Sequence, residues 1–135
     1  MAATFGWFAR DKSKLFIDIN QHIEDPSSAN GFKVSTKFYL YSIADENNND
    51  LIGFHYHPEL TEDPVPYPHI HAYADQDARF LSLNLHKRHI PSGRVALEDV
   101  VRWLIDEMKV TPIRDDWDTV LAEAKEKFTS NRSWA

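Results

Sequence analysis

Six of the seven histidines of this 135-residue chain lie between His55 and His89. Four of them form two His-x-His pairs, His55-Tyr56-His57 and His69-Ile70-His71, and His86 and His89 close the group. Imidazole changes charge near neutral pH, so it can act as general acid, general base, metal ligand or phosphate partner. Residues two apart in a strand share a face at a Cα separation of about 6–7 Å. Each His-x-His pair therefore sets two imidazoles side by side if its segment is extended.

Two chemistries follow from that placement. One is ligation of a divalent metal by His55, His57, His69 and His71, with Glu59 adding a carboxylate if the strand continues through Pro58. The other is metal-free phosphodiester cleavage. There one histidine takes the 2′-hydroxyl proton, another protonates the leaving oxygen, and a cation stabilises the phosphorane. The candidates for acid and base are His69 and His71, with His86 and His89 as alternatives, and Arg88 or Arg94 is the phosphate clamp. Against both stands a plainer arrangement, an exposed sheet face with tyrosines packed between histidines.

The charge pattern separates the histidine segment from the C-terminal region. The chain carries a net charge of −6, which argues against bulk, non-specific nucleic-acid binding. Yet Ala78 to Leu97 contains no acid, while Arg79, Lys87, Arg88 and Arg94 accompany His86 and His89. From Glu98 to Lys127 nine acids face five bases, so only the histidine segment attracts an anion. The absence of cysteine excludes disulfides, thiolate zinc sites and a cysteine nucleophile. No uninterrupted apolar run of about 18 residues occurs and the N-terminus lacks an apolar core segment, so a cytoplasmic protein without membrane association is expected.

The elements that must position these groups are legible from periodicity. Residues 1–135 read as one domain. Phe5–Arg10 is a short apolar run, and Leu15, Ile17, Ile19 and Ile23 alternate in a strand. Asp25–Gly31 is a loop. Phe32–Ile43 is the clearest strand, with Val34, Thr36, Phe38 and Leu40 on one face and Lys33, Ser35, Lys37, Tyr39 and Tyr41 on the other. After the polar turn Asp45–Asp50, Leu51–His57 returns as the second arm of a hairpin. Pro58–Pro68 carries four prolines and is expected to be irregular. Short strands at His69–Tyr73 and Phe80–His86 come next.

The period then changes. Leu97, Val100, Val101, Leu104, Ile105 and Met108 recur at helical spacing, and Thr111-Pro112 ends that helix. Asp115 or Asp116 is placed to cap a second helix with the stripe Trp117, Val120, Leu121, Ala124 and Phe128. The expected fold is α+β: a mostly antiparallel sheet followed by two C-terminal amphipathic helices packed on one face. Trp103, Trp117 and Phe128 read as core or flank rather than a base-stacking platform, His22 as a surface residue, and an exposed sheet edge offers a route to a homodimer.

Tyr39-Leu-Tyr-Ser-Ile43, Leu51-Ile-Gly-Phe54, His57-Pro-Glu-Leu60 and Pro68-His-Ile-His71 together resemble the TumE-type toxin family of small bacterial toxin–antitoxin proteins, over the middle half of the chain. The resemblance implies a cytoplasmic α+β protein acting on RNA and neutralised by a cognate antitoxin. Its motif falls on His69 and His71, and secondarily on His57. His86–Arg94 and the helical tail from Arg114 to Trp134 have no counterpart in that pattern. The expectation is a toxin-like ribonuclease that needs no metal. The alternatives are a metalloenzyme with a divalent ion held by histidines, and a non-enzymatic, antitoxin-like module whose acidic helical half binds a basic protein.

Overall fold

A computed structural model describes residues 2–8, 14–24, 35–58, 65–73 and 88–132 of the chain. Six strands form one antiparallel sheet in chain order: β1 (Ala2–Phe8), β2 (Lys14–Glu24), β3 (Ser35–Asp45), β4 (Asp50–His57), β5 (Val65–Ala72) and the two-residue β6 (Ile90–Pro91). Two helices come after them, α1 (Leu97–Asp106) and α2 (Trp117–Asn131). The architecture is α+β, as the change from period two to helical spacing requires. The expected strand at Phe80–His86 lies outside the described residues.

Register gives each face of the sheet its character. One row across the strands reads Ile19–Tyr41–Phe54–Ile70–Ile90, and the next reads Ile17–Ile43–Ile52–Ala72. These rows face α1, where Val100 and Leu104 complete a core with Leu15, Ile17, Ile43 and Phe54. Trp103 meets Phe54 edge to face at a centroid separation of 5.9 Å, so it belongs to the core rather than to a base-stacking surface. The inward face of β3 is the one bearing Tyr39, Tyr41 and Ile43. Tyr39 and Tyr41 stack at 4.9 Å, and their hydroxyls are engaged: Val95 N–H donates to Tyr39 Oη at 3.0 Å, and Tyr41 Oη donates to Gln21 Oε1 at 3.0 Å. Between the pairs His22↔Phe38 and Ile23↔Thr36 the register shifts, leaving Lys37 as the extra residue of a bulge. Thr36 is thereby buried on the same side as Tyr39.

Two local expectations are corrected. β5 begins at Val65, so Pro66 and Pro68 lie inside a strand rather than in an irregular approach to one. Proline is tolerated because of the side to which it points. Ser92 N–H donates to Pro68 O at 2.8 Å, which directs the backbone polar groups of Pro68 toward β6 and away from the β4 ladder. Second, Asp116 occupies the N-cap position of α2 but makes no side-chain cap. Its carboxylate is taken by Arg114, whose Nε and Nη2 each donate at 2.8 Å and hold the acid below the usual carboxylate range.

The Asp45–Asp50 turn behaves as expected of its composition. The Asp45 carboxylate accepts from the backbone N–H of Asn47 and Asn49, both at 2.9 Å, and Asn48 adopts φ 63°, a left-handed conformation asparagine tolerates. No helix among the described residues is long and apolar enough to cross a membrane.

The core makes a direct demand on stability. Leu104→Ala, at a side chain only 2% exposed, is expected to lower the unfolding free energy by about 3 kcal/mol. Ile113→Ala, at a side chain 96% exposed, is expected to change it by less than about 0.5 kcal/mol. Urea titrations with equal slopes check both.

Candidate metal centre

The residues alternating with the core rows face the opposite side of the sheet. There one row reads Asn20–Leu40–His55–His69–Pro91, and its neighbour reads Asp18–Ser42–Gly53–His71. His55 and His69 are thus direct cross-strand partners. Both His-x-His pairs project from this face because Phe54, Tyr56 and Ile70 take the other one. The imidazoles meet. Ring centroids lie 5.6 Å apart for His55 and His69, 5.0 Å for His57 and His69, 5.0 Å for His69 and His71, and 4.7 Å for His55 and His71. His89, just before β6, packs at 4.7 Å from His69 and 4.8 Å from His71.

His69 is the centre of the group and has no exposed surface, while His55, His57 and His71 are partly buried and His89 is exposed. Ring nitrogens of His55, His57 and His69 lie within 4.8 Å of one another, and so do those of His69, His71 and His89. Among the described residues neither group includes a carboxylate. Nε2 of His55, Nδ1 of His57 and Nε2 of His69 are buried without a hydrogen-bond partner among the described residues. Such atoms are uncommon in native proteins, since each costs about 1–3 kcal/mol when left unsatisfied.

The tautomer of His69 follows from its other nitrogen. Nδ1 lies 3.0 Å from Tyr67 O, and a carbonyl oxygen only accepts, so Nδ1 carries the proton and donates. Burial lowers the pKa of His69, which keeps the ring neutral and leaves the lone pair on Nε2 facing the other imidazoles. Tyr67 is positioned for this role by its neighbours. The β4–β5 register shifts between His55↔His69 and His57↔Val65, so Pro66, Tyr67 and Pro68 together span the position of Tyr56 alone. Proline on both sides restricts the backbone that aims the Tyr67 carbonyl.

His55 owes its position to the absence of a side chain at Gly53. A Cβ at Gly53 would lie 2.6 Å from His55 Nε2 and 3.2 Å from Cδ2 and Cε1. The His55 ring therefore fills the space over Gly53, beside His71. Burial, then the neighbouring imidazoles, push its pKa down to about 3. Sequence reasoning leaves out Gly53 and Tyr67; the only signals are a glycine inside a β-pattern and the Pro-x-Pro that precedes His69.

The remaining candidates fall elsewhere. Arg94 lies on the helix side of the sheet, where Nη1 donates to Thr36 O at 3.3 Å and Nη2 to Tyr56 Oη at 2.7 Å. Its guanidinium also packs 4.1 Å from the centroid of the Tyr56 ring. Arg94 therefore ties the segment before α1 to the sheet and does not share a face with the histidines. Arg88 is exposed and adjacent to His89. His86 and Glu59 lie outside the described residues. His22 is exposed and sits edge-on to Phe38 at 5.9 Å, away from the imidazole group. Comparison with protein-family models, curated proteins and solved structures finds no match, so the geometry alone carries the functional reading.

The depressed pKa of His55 has a definite sign. Below the ordinary value of 6.5 the unfolded chain takes up a proton that folded His55 refuses until about pH 3. Stability of the metal-free protein is therefore expected to fall as pH drops from 6.5 toward 3, read as a declining urea midpoint. In Gly53→Ala the displaced His55 ring is expected to titrate closer to 6.5 by NMR and to flatten that decline. An unchanged His55 titration would show that Gly53 does not set its position.

Proposed function

We propose that this chain is a histidine-ligated metalloprotein, holding one divalent transition-metal ion between His55, His57 and His69, with the His71 ring packed beside them. The observation that carries the reading is that ring nitrogens of His55, His57 and His69 lie within 4.8 Å of one another, and each of these rings also has a buried nitrogen without a hydrogen-bond partner among the described residues. Imidazole donors suit zinc, copper, iron, cobalt or nickel, whereas magnesium and calcium demand oxygen ligands. The Nδ1–H donation from His69 to a backbone carbonyl is the outer-shell contact that metal-binding histidines commonly make.

Three neutral ligands leave the ion its full charge, and a bound ion would supply Lewis acidity and a lowered pKa for water at an open position. The chain's own contribution is to favour the neutral form of His55 and His69, fix the His69 tautomer and shield the donors from solvent. The reaction class this favours is attack by an activated water on a polarised substrate.

A metal-free acid–base pair, as in the ribonuclease expectation, is less well supported by the same geometry. A general acid must hold a proton near neutral pH, while burial drives His69, one of the two leading acid–base candidates, toward the neutral form. The clamp assigned to Arg94 would act from the opposite face of the sheet.

Tag-free protein, stripped and then dialysed against zinc or cobalt, is expected to retain about one ion per chain by elemental analysis. At a free metal concentration of about 100 times Kd, unfolding should require about 2.7 kcal/mol more than in the metal-free protein. His69→Ala should abolish retention and His57→Ala should weaken it by about tenfold or more, while His22→Ala should leave it intact. A metal-to-protein ratio near zero for the wild-type chain after supplementation would overturn the proposal.

A further inference from the structure

His69 belongs to two donor groups at once, the inner His55–His57–His69 set and an outer set with His71 and His89. Its Nδ1 is committed to Tyr67 O, so it has a single nitrogen, Nε2, to offer. One lone pair cannot serve two ions. The two sets are therefore alternative positions for the same ion rather than a two-metal centre.

They also differ in access. The inner set contains the fully buried His69 and two partly buried rings, whereas the outer set ends at the exposed His89. The rings of the two sets also pack against one another. Ring centroids lie 4.7 Å apart for His55 and His71, 5.0 Å for His69 and His71, and 5.6 Å for His55 and His69. The two groups share His69, so an ion would pass from His69–His71–His89 to His55–His57–His69 by exchange about that ring. His71 and His89 give way to His55 and His57, and His69 stays attached throughout. No bond other than metal–nitrogen forms or breaks, and no proton need move while the rings are neutral.

We propose that His89 and His71 form the loading port of the metal centre, passing a divalent ion to the buried set by ligand exchange about His69. The proposal rests on the metalloprotein reading above and adds a route and direction to it. It predicts a kinetic signature that a simple ligand would not give. A residue on the route lowers the barrier for entry and exit alike, so its loss slows both, whereas loss of a resting ligand speeds release.

The test is stopped-flow zinc loading of the stripped, full-length protein, followed by removal of zinc from the loaded protein with a chromophoric chelator. In His89→Phe, which keeps a ring against His69 and His71 but no donor, both rates are expected to fall by about tenfold and by the same factor. His89→Asp, which restores a donor at that position, should recover most of the lost rate. His57→Ala should act differently, through faster release. Wild-type rates in His89→Phe would overturn the port. Faster release in that variant would overturn it too, by making His89 a ligand of the resting site. If the wild-type protein takes up no zinc, the metalloprotein reading itself falls. Because His89 is exposed, its replacement is expected to leave the fold intact, checked by the urea midpoint.

Discussion

The register between β4 and β5 is the constraint on which the rest of this structure depends. A strand alternates faces at every residue, so pairing His55 with His69 also pairs Phe54 with Ile70. Slipping either strand by one residue would send imidazoles toward α1 and Phe54 into the histidine group. Hydrophobic burial decides between the two arrangements. Tyr41, Ile43 and Phe54 lie under Val100 and Leu104, and burying side chains of this size is worth about 1.5–3 kcal/mol each. The core face thus fixes the register, and the register assembles the histidines on the other face without any attraction among them.

Nothing in the imidazole group would assemble it unaided. Three buried ring nitrogens lack partners among the described residues, and each such atom costs about 1–3 kcal/mol. Their sum is comparable with the net stability of about 5–15 kcal/mol of an ordinary domain. The depressed pKa of His55 is a second expression of the same burial. A site held together against its own desolvation stores donor capacity, and an ion bound to those lone pairs would return it. This is the energetic sense in which the proposed metal and the observed packing belong together.

Much of this is legible in the residues themselves. The two His-x-His pairs, the alternating strands, the switch to helical spacing at Leu97 and the core role of Trp103 follow from periodicity. What periodicity does not encode is which face a charged side chain joins when its segment leaves the sheet. Arg94 sits in an acid-free, histidine-rich stretch and reads there as a partner of the imidazoles. Its position between β6 and α1 instead carries it to the helix side, where the Tyr56 hydroxyl and the Thr36 carbonyl take it up. Linear proximity reports charge composition, not convergence. The prolines mislead for a related reason. Proline disrupts a ladder only on the side to which its nitrogen points, and Pro68 points toward β6. Gly53 is silent in the sequence because its contribution is an empty volume filled by His55, a contact between residues whose spacing says nothing about ring orientation.

Pro66 and Pro68 connect these threads. The residue before a proline is restricted to extended backbone, and the residue after one inherits a fixed approach, so Tyr67 has little freedom in where its carbonyl points. That carbonyl accepts from Nδ1 of His69, which fixes one tautomer and confines the ring's remaining lone pair to Nε2. A freely rotating histidine could offer either nitrogen and would define no site. The fixed one is buried at the middle of five imidazoles, its ring centroid 5.6, 5.0, 5.0 and 4.7 Å from those of its four neighbours. Backbone stiffness two residues upstream is thereby converted into chemical definition at His69, which belongs to both groups of close ring nitrogens among the described residues.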